Sequence, residues 1–165
     1  MTRLDQLWAG WRAEYISEVA TKPERDACFL CDLQALPDDE AMILERTATT
    51  FTLMNAYPYT SGHVLIAPRR HTPTLVDLDP AEAVELMHAV QRANAALVTA
   101  YTPDGLNVGA NIGRAAGAGL PGHVHLHAMP RWSGDTNFMT AVADTRVLPE
   151  SLRASYDRLR AAWDR

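Results

Sequence analysis

Hydrophobic positions along the chain follow two periods, and the switch between them separates strands from helices. Leu4, Leu7, Trp8, Trp11 and Tyr15 recur at three- and four-residue steps. That spacing predicts an amphipathic helix whose two tryptophans need a core, a dimer contact or a ligand to cover them. A loop follows, carrying Lys22-Pro23 and then Cys28-Phe29-Leu30-Cys31. Short apolar runs at 41–45, 50–54 and 63–67 are separated by turn-forming residues that include Tyr57-Pro58-Tyr59-Thr60-Ser61-Gly62, so they predict three strands of an antiparallel meander. Asp79-Pro80-Ala81-Glu82 reads as a helix start, with Asp79 as cap, Pro80 at the first helical position and Glu82 in the first turn. Ala83, Met87, Val90 and Leu97 carry that helix to Tyr101-Thr102-Pro103-Asp104-Gly105, which ends it. Two further strands, 106–111 and 123–129, flank a glycine-rich segment. A last helix starts from Pro149, with Leu152, Tyr156, Leu159 and Trp163 on one face. The order predicts an α+β fold: a mainly antiparallel sheet with one long central helix and a C-terminal helix.

Composition narrows the function. The chain has 165 residues, 47% hydrophobic and 21% charged, enough apolar material for one ordinary core. Its net charge is −5 with the basic residues scattered, which disfavours a nucleic-acid backbone as ligand. No stretch approaches a membrane span, and Met1-Thr2-Arg3-Leu4-Asp5-Gln6 lacks the apolar core of a secretory signal, so the expected setting is cytoplasmic. Cys28 and Cys31 are the only cysteines. A disulfide closing so short a loop stabilises little, which leaves metal binding, thiol redox chemistry or plain burial as readings of the pair.

The densest chemistry lies in Gly122-His123-Val124-His125-Leu126-His127-Ala128-Met129. On a strand, His123, His125 and His127 share one face while Val124, Leu126 and Ala128 pack on the other. Half of the chain's six histidines fall within these five positions, so a merely solvated face is a poor account of them. A three-imidazole zinc site is the rival reading, although equal spacing along a straight strand does not readily converge on one ion. His88, alone inside the central helix, reads as structural or surface. Just before the histidines, Asn111 to Gly122 contains Gly113, Gly117, Gly119 and Gly122. Such a loop can turn backbone amides toward an anion. Phosphate held beside a nitrogen nucleophile is the chemistry this juxtaposition points to.

With these residues in view the chain resembles the histidine triad family, whose His-x-His-x-His motif carries nucleotidyl transfer or hydrolysis at the α-phosphate of a nucleotide. The likeness extends to Leu7-Trp8-x-x-Trp11-Arg12-x-x-Tyr15-Ile16, Asn55-x-Tyr57-Pro58-Tyr59, Gly62-His63 and Pro68-Arg69-Arg70-His71. It continues through Gly105-x-Asn107-x-Gly109-x-Asn111-x-Gly113, Ala116-Gly117 and Pro130-Arg131-Trp132-x-Gly134-Asp135-x-Asn137-Phe138. The combination is most similar to the branch of bacterial diadenosine tetraphosphate phosphorylases. The resemblance implies a single domain over 1–165, with a helix and loop extension at 1–27, a catalytic core at 28–148 and a C-terminal helix at 149–165. It also implies a homodimer.

The roles below come from the resemblance. His125 is the nucleophile, forming a nucleotidyl-histidine with its other nitrogen held by an acceptor such as a backbone carbonyl. His127 contacts the phosphate oxygens, with Asn111, Gly113, Gly117 and Gly119 binding phosphates, Asn55 at the ribose, and Asn107 and Trp132 among the substrate contacts. Many family members carry Gly-Gln-Ser where this chain has Gly117-Ala118-Gly119, so backbone amides stand in for those side-chain donors. The cysteine pair joins His71 and His123 in a closed structural zinc site, which excludes His123 as proton donor to the leaving group. The implied reaction cleaves an adenine dinucleoside polyphosphate, foremost diadenosine tetraphosphate by inorganic phosphate. The alternatives are hydrolysis of such dinucleotides or of adenosine phosphoramidates, or nucleotide binding without catalysis. Arg114 and Arg131 are the cationic side chains nearest in sequence.

Overall fold

In a computed structural model, residues 28–135 and 148–163 are described, and the helix expected around Leu4–Tyr15, as well as Asn137 and Phe138, lies outside them. A five-stranded antiparallel sheet runs in the order β1-β2-β3-β5-β4, built from β1 (Ile43–Arg46), β2 (Thr50–Met54), β3 (Val64–Pro68), β4 (Gly105–Ala110) and β5 (Leu126–Arg131). The first three strands form the expected meander. The central helix α3 (Pro80–Tyr101) follows β3, and α4 (Leu152–Trp163) packs beside it. Two short helices, α1 (Phe29–Leu33) and α2 (Asp38–Ala41), precede the sheet. The sequence predicts a loop where α1 forms and a strand from Ala41 where β1 starts at Ile43, because helices this short have almost no periodicity to detect.

The start of α3 forms as its residues dictate. Asp79 accepts from the Glu82 backbone N–H at 2.8 Å, and the Asp79 N–H donates to Glu82 Oε2 at 3.0 Å, closing a capping box with Pro80 at the first position. The helix ends where Thr102 turns left-handed, before Pro103. Its buried face is Leu86, Ala89, Val90, Ala93, Ala96 and Leu97. Ala83 and Met87, expected on that face, are exposed. The run of alanines, which periodicity undervalues, marks where the helix lies close against the sheet.

Alternation along each strand gives the sheet two unlike faces. Val64, Ile66, Leu126 and Ala128 point to α3 and α4 and form the larger core with Leu86, Val90, Leu97, Tyr156 and Leu159. On the opposite face, Phe51, Leu53, Leu65 and Ala67 pack with Ile43, Ala41 and Leu30 of α1. Among the described residues, that second layer lies over the first three strands, with the loop residue Leu120 packed against it. His127, Met129 and Arg131 of β5 continue the same face beyond it, opposite Gly109, Asn107 and Gly105 of β4.

Candidate active site and metal cluster

The strand expected over 123–129 starts only at Leu126. Its partner β3 ends at Pro68, which has no N–H to extend the ladder. Residues 123–125 are instead held by the chain after β3: the Val124 N–H donates to Thr72 O at 2.7 Å, and His123 Nε2 bonds Pro68 O at 2.9 Å. This local departure distributes the three histidines. His123 packs edge-on against His71, with ring centroids 5.0 Å apart, whereas His125 packs against His127 at 5.1 Å.

Hydrogen bonds assign the protons. His125 Nδ1 lies 2.8 Å from His123 O, a carbonyl that can only accept, so Nδ1 carries the hydrogen and Nε2 is left with its lone pair. His127 Nδ1 lies 2.9 Å from Nε2 of His63. The Tyr59 N–H donates to His63 Nδ1 at 3.0 Å, and Asn55 Nδ2 approaches the same nitrogen at 3.3 Å. His63 is therefore protonated on Nε2 and donates to His127, whose own hydrogen is placed on Nε2. Burial, followed by the neighbouring His125, pushes His127 down to about 4. At neutral pH it is an uncharged donor.

His63 is the residue that the sequence reading left out of the site. It lies within the Gly62-His63 likeness, and its pattern predicts only the start of a strand. Fully buried on the His127 face and diagonal to that residue across the β3–β5 ladder, it acts from the neighbouring strand. Five of the six histidines thus gather in this region, and His88 stays on the exposed side of α3, 3.9 Å from Glu85.

Other expected residues hold mixed positions. Asn111 follows β4 beside the glycine loop, and Gly109 faces His127 across the ladder. Asn55 uses its side-chain oxygen to accept from the Tyr57 N–H at 3.0 Å, so it shapes the 55–63 turn as well as facing the site. Asn107 accepts from Arg131 at 2.8 Å, and Arg131 is paired with Asp135 at 2.6 Å. In the loop, the Gly117 N–H donates to Arg114 O and the Ala118 N–H to Gly113 O. Those two amides are occupied by the loop's own turn, and Ala118 is buried. Gly113 and Gly117 adopt φ of +81° and +86°, a region that side chains beyond glycine rarely enter. Gly119 adjoins Ala118 in the same loop. The Trp132 ring stands edge-on to Tyr101 at 6.0 Å, at the end of α3.

Cys28, Cys31, His71 and His123 form a cluster that could hold a metal ion, with one donor atom from each within 4.8 Å of the others. Cys28 Sγ lies 3.2 Å from His123 Nδ1, and Cys31 Sγ lies 3.4 Å from His71 Nδ1 and 3.6 Å from His123 Nδ1. Tetrahedral donors about 2.0–2.3 Å from one ion stand roughly 3.3–3.8 Å apart, so this set is already near that shape. His123 donates its Nε2 hydrogen to Pro68 O and turns the Nδ1 lone pair inward, as a metal-bound imidazole does. Burial, and after it the adjacent Cys28, push the Cys31 thiol up to about 11, a cost of placing negative charge there that a bound cation offsets.

The fold, the histidine arrangement and the cysteine–histidine cluster together define a class, and comparison names it: residues 38–134 match the HIT domain, and the chain belongs to that family. Among individual relatives, it is 33% identical over 168 residues to the AP-4-A phosphorylase of Mycobacterium tuberculosis, spanning 99% of this chain and 86% of that protein. The asymmetrical bis(5'-nucleosyl)-tetraphosphatase of Schizosaccharomyces pombe is 33% identical over 95 residues, 58% of this chain and 52% of that one. Among solved structures, a Zn-bound histidine triad family protein from Mycobacterium smegmatis superposes with a TM-score of 0.67 at 29% identity, covering 84% of this chain and 94% of the other.

Proposed function

We propose that this HIT-family enzyme cleaves diadenosine tetraphosphate by nucleotidyl transfer, with inorganic phosphate as the second acceptor. The observation that carries the mechanism is the His125 Nδ1 bond to the His123 carbonyl, which leaves Nε2 as a neutral nucleophile. His125 Nε2 attacks the α-phosphorus, and the bond from that phosphorus to the bridging oxygen breaks, releasing ATP and leaving adenylyl-His125. An oxygen of phosphate then attacks the same phosphorus and His125 departs, giving ADP. His127, neutral and protonated on Nε2, donates to a phosphate oxygen as charge develops there. Asn111 and the loop containing Gly113, Gly117 and Gly119 line the phosphates. The likeness over nearly the full chain to a protein named AP-4-A phosphorylase supports this choice of substrate.

The metal is read as zinc held by Cys28, Cys31, His71 and His123. Two thiolates and two imidazoles leave no open position, so when bound it supplies a structural cross-link between α1, the turn after β3 and the start of the histidine segment. Both His123 nitrogens are then engaged, and its carbonyl orients His125. Protein purified without chelator is expected to contain about one zinc per chain, and Cys28→Ser to lose both metal and thermal stability. A reducing cytoplasmic setting suits this thiol pair. A homodimer is supported by β4, which lies at the sheet edge with Val108 exposed.

Incubation with diadenosine tetraphosphate, with and without millimolar phosphate, tests the reaction. Phosphorolysis consumes phosphate and yields ATP plus ADP. Release of ATP plus AMP without phosphate assigns hydrolysis instead.

A further inference from the structure

The C-terminal helix α4 lies beyond the residues that match the HIT domain, yet one side chain connects it to the histidines. Tyr101 is the last residue of α3, and its ring lies against the backbone of Gly62. A Cβ added at Gly62 would meet Tyr101 Cε2 at 2.6 Å, and Gly62 has a φ of +76°, so glycine is required there on two counts. The next residue is His63. The same ring is edge-on to Trp132.

The ring is held from the other side by the start of α4 and the residues before it. Tyr101 Oη donates to Glu150 Oε1 at 2.5 Å, and Ser155 Oγ donates to the same oxygen at 2.6 Å. Arg158 pairs with Glu150 Oε2 at 3.4 Å and places its guanidinium 5.1 Å above the Tyr101 ring. Burial, with Glu150 as the second cause, raises the phenol above its ordinary range, so it remains a donor.

We infer that Tyr101, clamped by Glu150 and Arg158, is a positioning residue: it presses the Gly62 turn into the place that sets His63 and, through His63, the protonated nitrogen of His127. The α4 segment is then part of the catalytic scaffold rather than an appended prop. The inference rests on the reading of His63 and His127 given above. Displacing His63 by a fraction of an ångström weakens its 2.9 Å bond to His127, and misplacement on that scale at a reacting centre is costly in rate.

The test uses the full-length, zinc-loaded chain with diadenosine tetraphosphate as substrate. Tyr101→Phe and Glu150→Ala each remove the Oη–Oε1 bond of the clamp without removing the ring. Both should lower kcat by about tenfold while KM stays within about twofold, since binding is not what the clamp controls. The double variant should be no slower than either single one, because the two changes break one link. Nitrogen-15 spectra of the imidazoles should show His127 shifting from a single Nε2–H tautomer to a mixture. Wild-type kcat and an unchanged His127 spectrum in both single variants, with only a lowered melting temperature, would make the clamp purely structural and overturn the inference. His63→Gln separates the two levels. If that variant keeps full kcat, the reading of His63 as the donor that sets His127 fails; if it is impaired while the clamp variants are not, only the inference fails.

Discussion

Every ring in the histidine cluster commits a nitrogen to the protein, and which nitrogen it commits decides what the other can do. His125 gives Nδ1 to a carbonyl, which frees Nε2 for the proposed attack; His123 gives Nε2 to Pro68 O and turns Nδ1 toward the thiols of the proposed metal site. His127 receives at Nδ1 and keeps a hydrogen on Nε2. These assignments make a sharp expectation for His125→Ala. Turnover should fall by at least about a thousandfold with nucleotide affinity nearly unchanged, because the change deletes a covalent step and little contact area. Steady-state kinetics beside equilibrium titration of a nonhydrolysable nucleotide checks it, and turnover within tenfold of wild type contradicts it. At this scale the sequence revealed the residue types well, since three histidines at alternate positions have few bland explanations. It did not reveal His63. A single histidine after a glycine carries no local sign of its role, and only the register Leu65↔His127 brings it to its partner.

Among the elements, what decides the site is where strands stop. The second strand matches its expected bounds, and the central helix starts at the cap that its residues announce. The histidine strand begins three residues later than its alternation suggests, because Pro68 ends the neighbouring ladder, a tertiary cause with no trace in the histidine segment itself. The start of α3 also anchors the metal cluster. Arg70, next to His71, donates to both carboxylate oxygens of Glu82 at 2.9 and 2.6 Å, and these bonds with the Asp79 N–H hold the Glu82 carboxyl down at about 2. Glu82→Gln removes the charge that Arg70 pairs with while leaving an amide oxygen that can still accept from the Asp79 N–H, and should cost about 0.5–1 kcal/mol of stability. The sign follows from the depressed pKa: that contribution is present above the ordinary carboxylate range and is lost as pH falls toward 2. Urea denaturation of the two proteins at pH 7 measures the difference, and equal midpoints would show that the anchor contributes nothing.

For the molecule as a whole, the decisive feature is the unequal cover on the two faces of one sheet. Among the described residues, helices α3 and α4 cover the far face, while the near face is covered over its first three strands. The remaining strip of β5 and β4 presents His127 opposite a glycine, so substrate can lie on backbone. Placing histidines on such a strip has a consequence for stability. His127 is held below its usual range, first by burial, as is His123 wherever no metal occupies its cluster. Because the unfolded chain binds those protons more readily, stability should be flat above about pH 6.5 and fall between there and pH 4, by on the order of 2–3 kcal/mol for His127 alone. Denaturant titrations at pH 7, 6 and 5 follow this directly, and a midpoint that rises on acidification contradicts it.

Trapping the covalent intermediate tests the central claim most directly. Wild-type protein mixed with diadenosine tetraphosphate in the absence of phosphate, quenched within milliseconds under mildly alkaline conditions and digested for mass spectrometry, should carry one AMP group on the peptide containing His125, joined through nitrogen. The adduct should disappear, with formation of ADP, when phosphate is added before the quench. An adenylyl group found on His123, His127 or His63 instead, or turnover proceeding with no protein-bound nucleotide at any time point, would contradict the account.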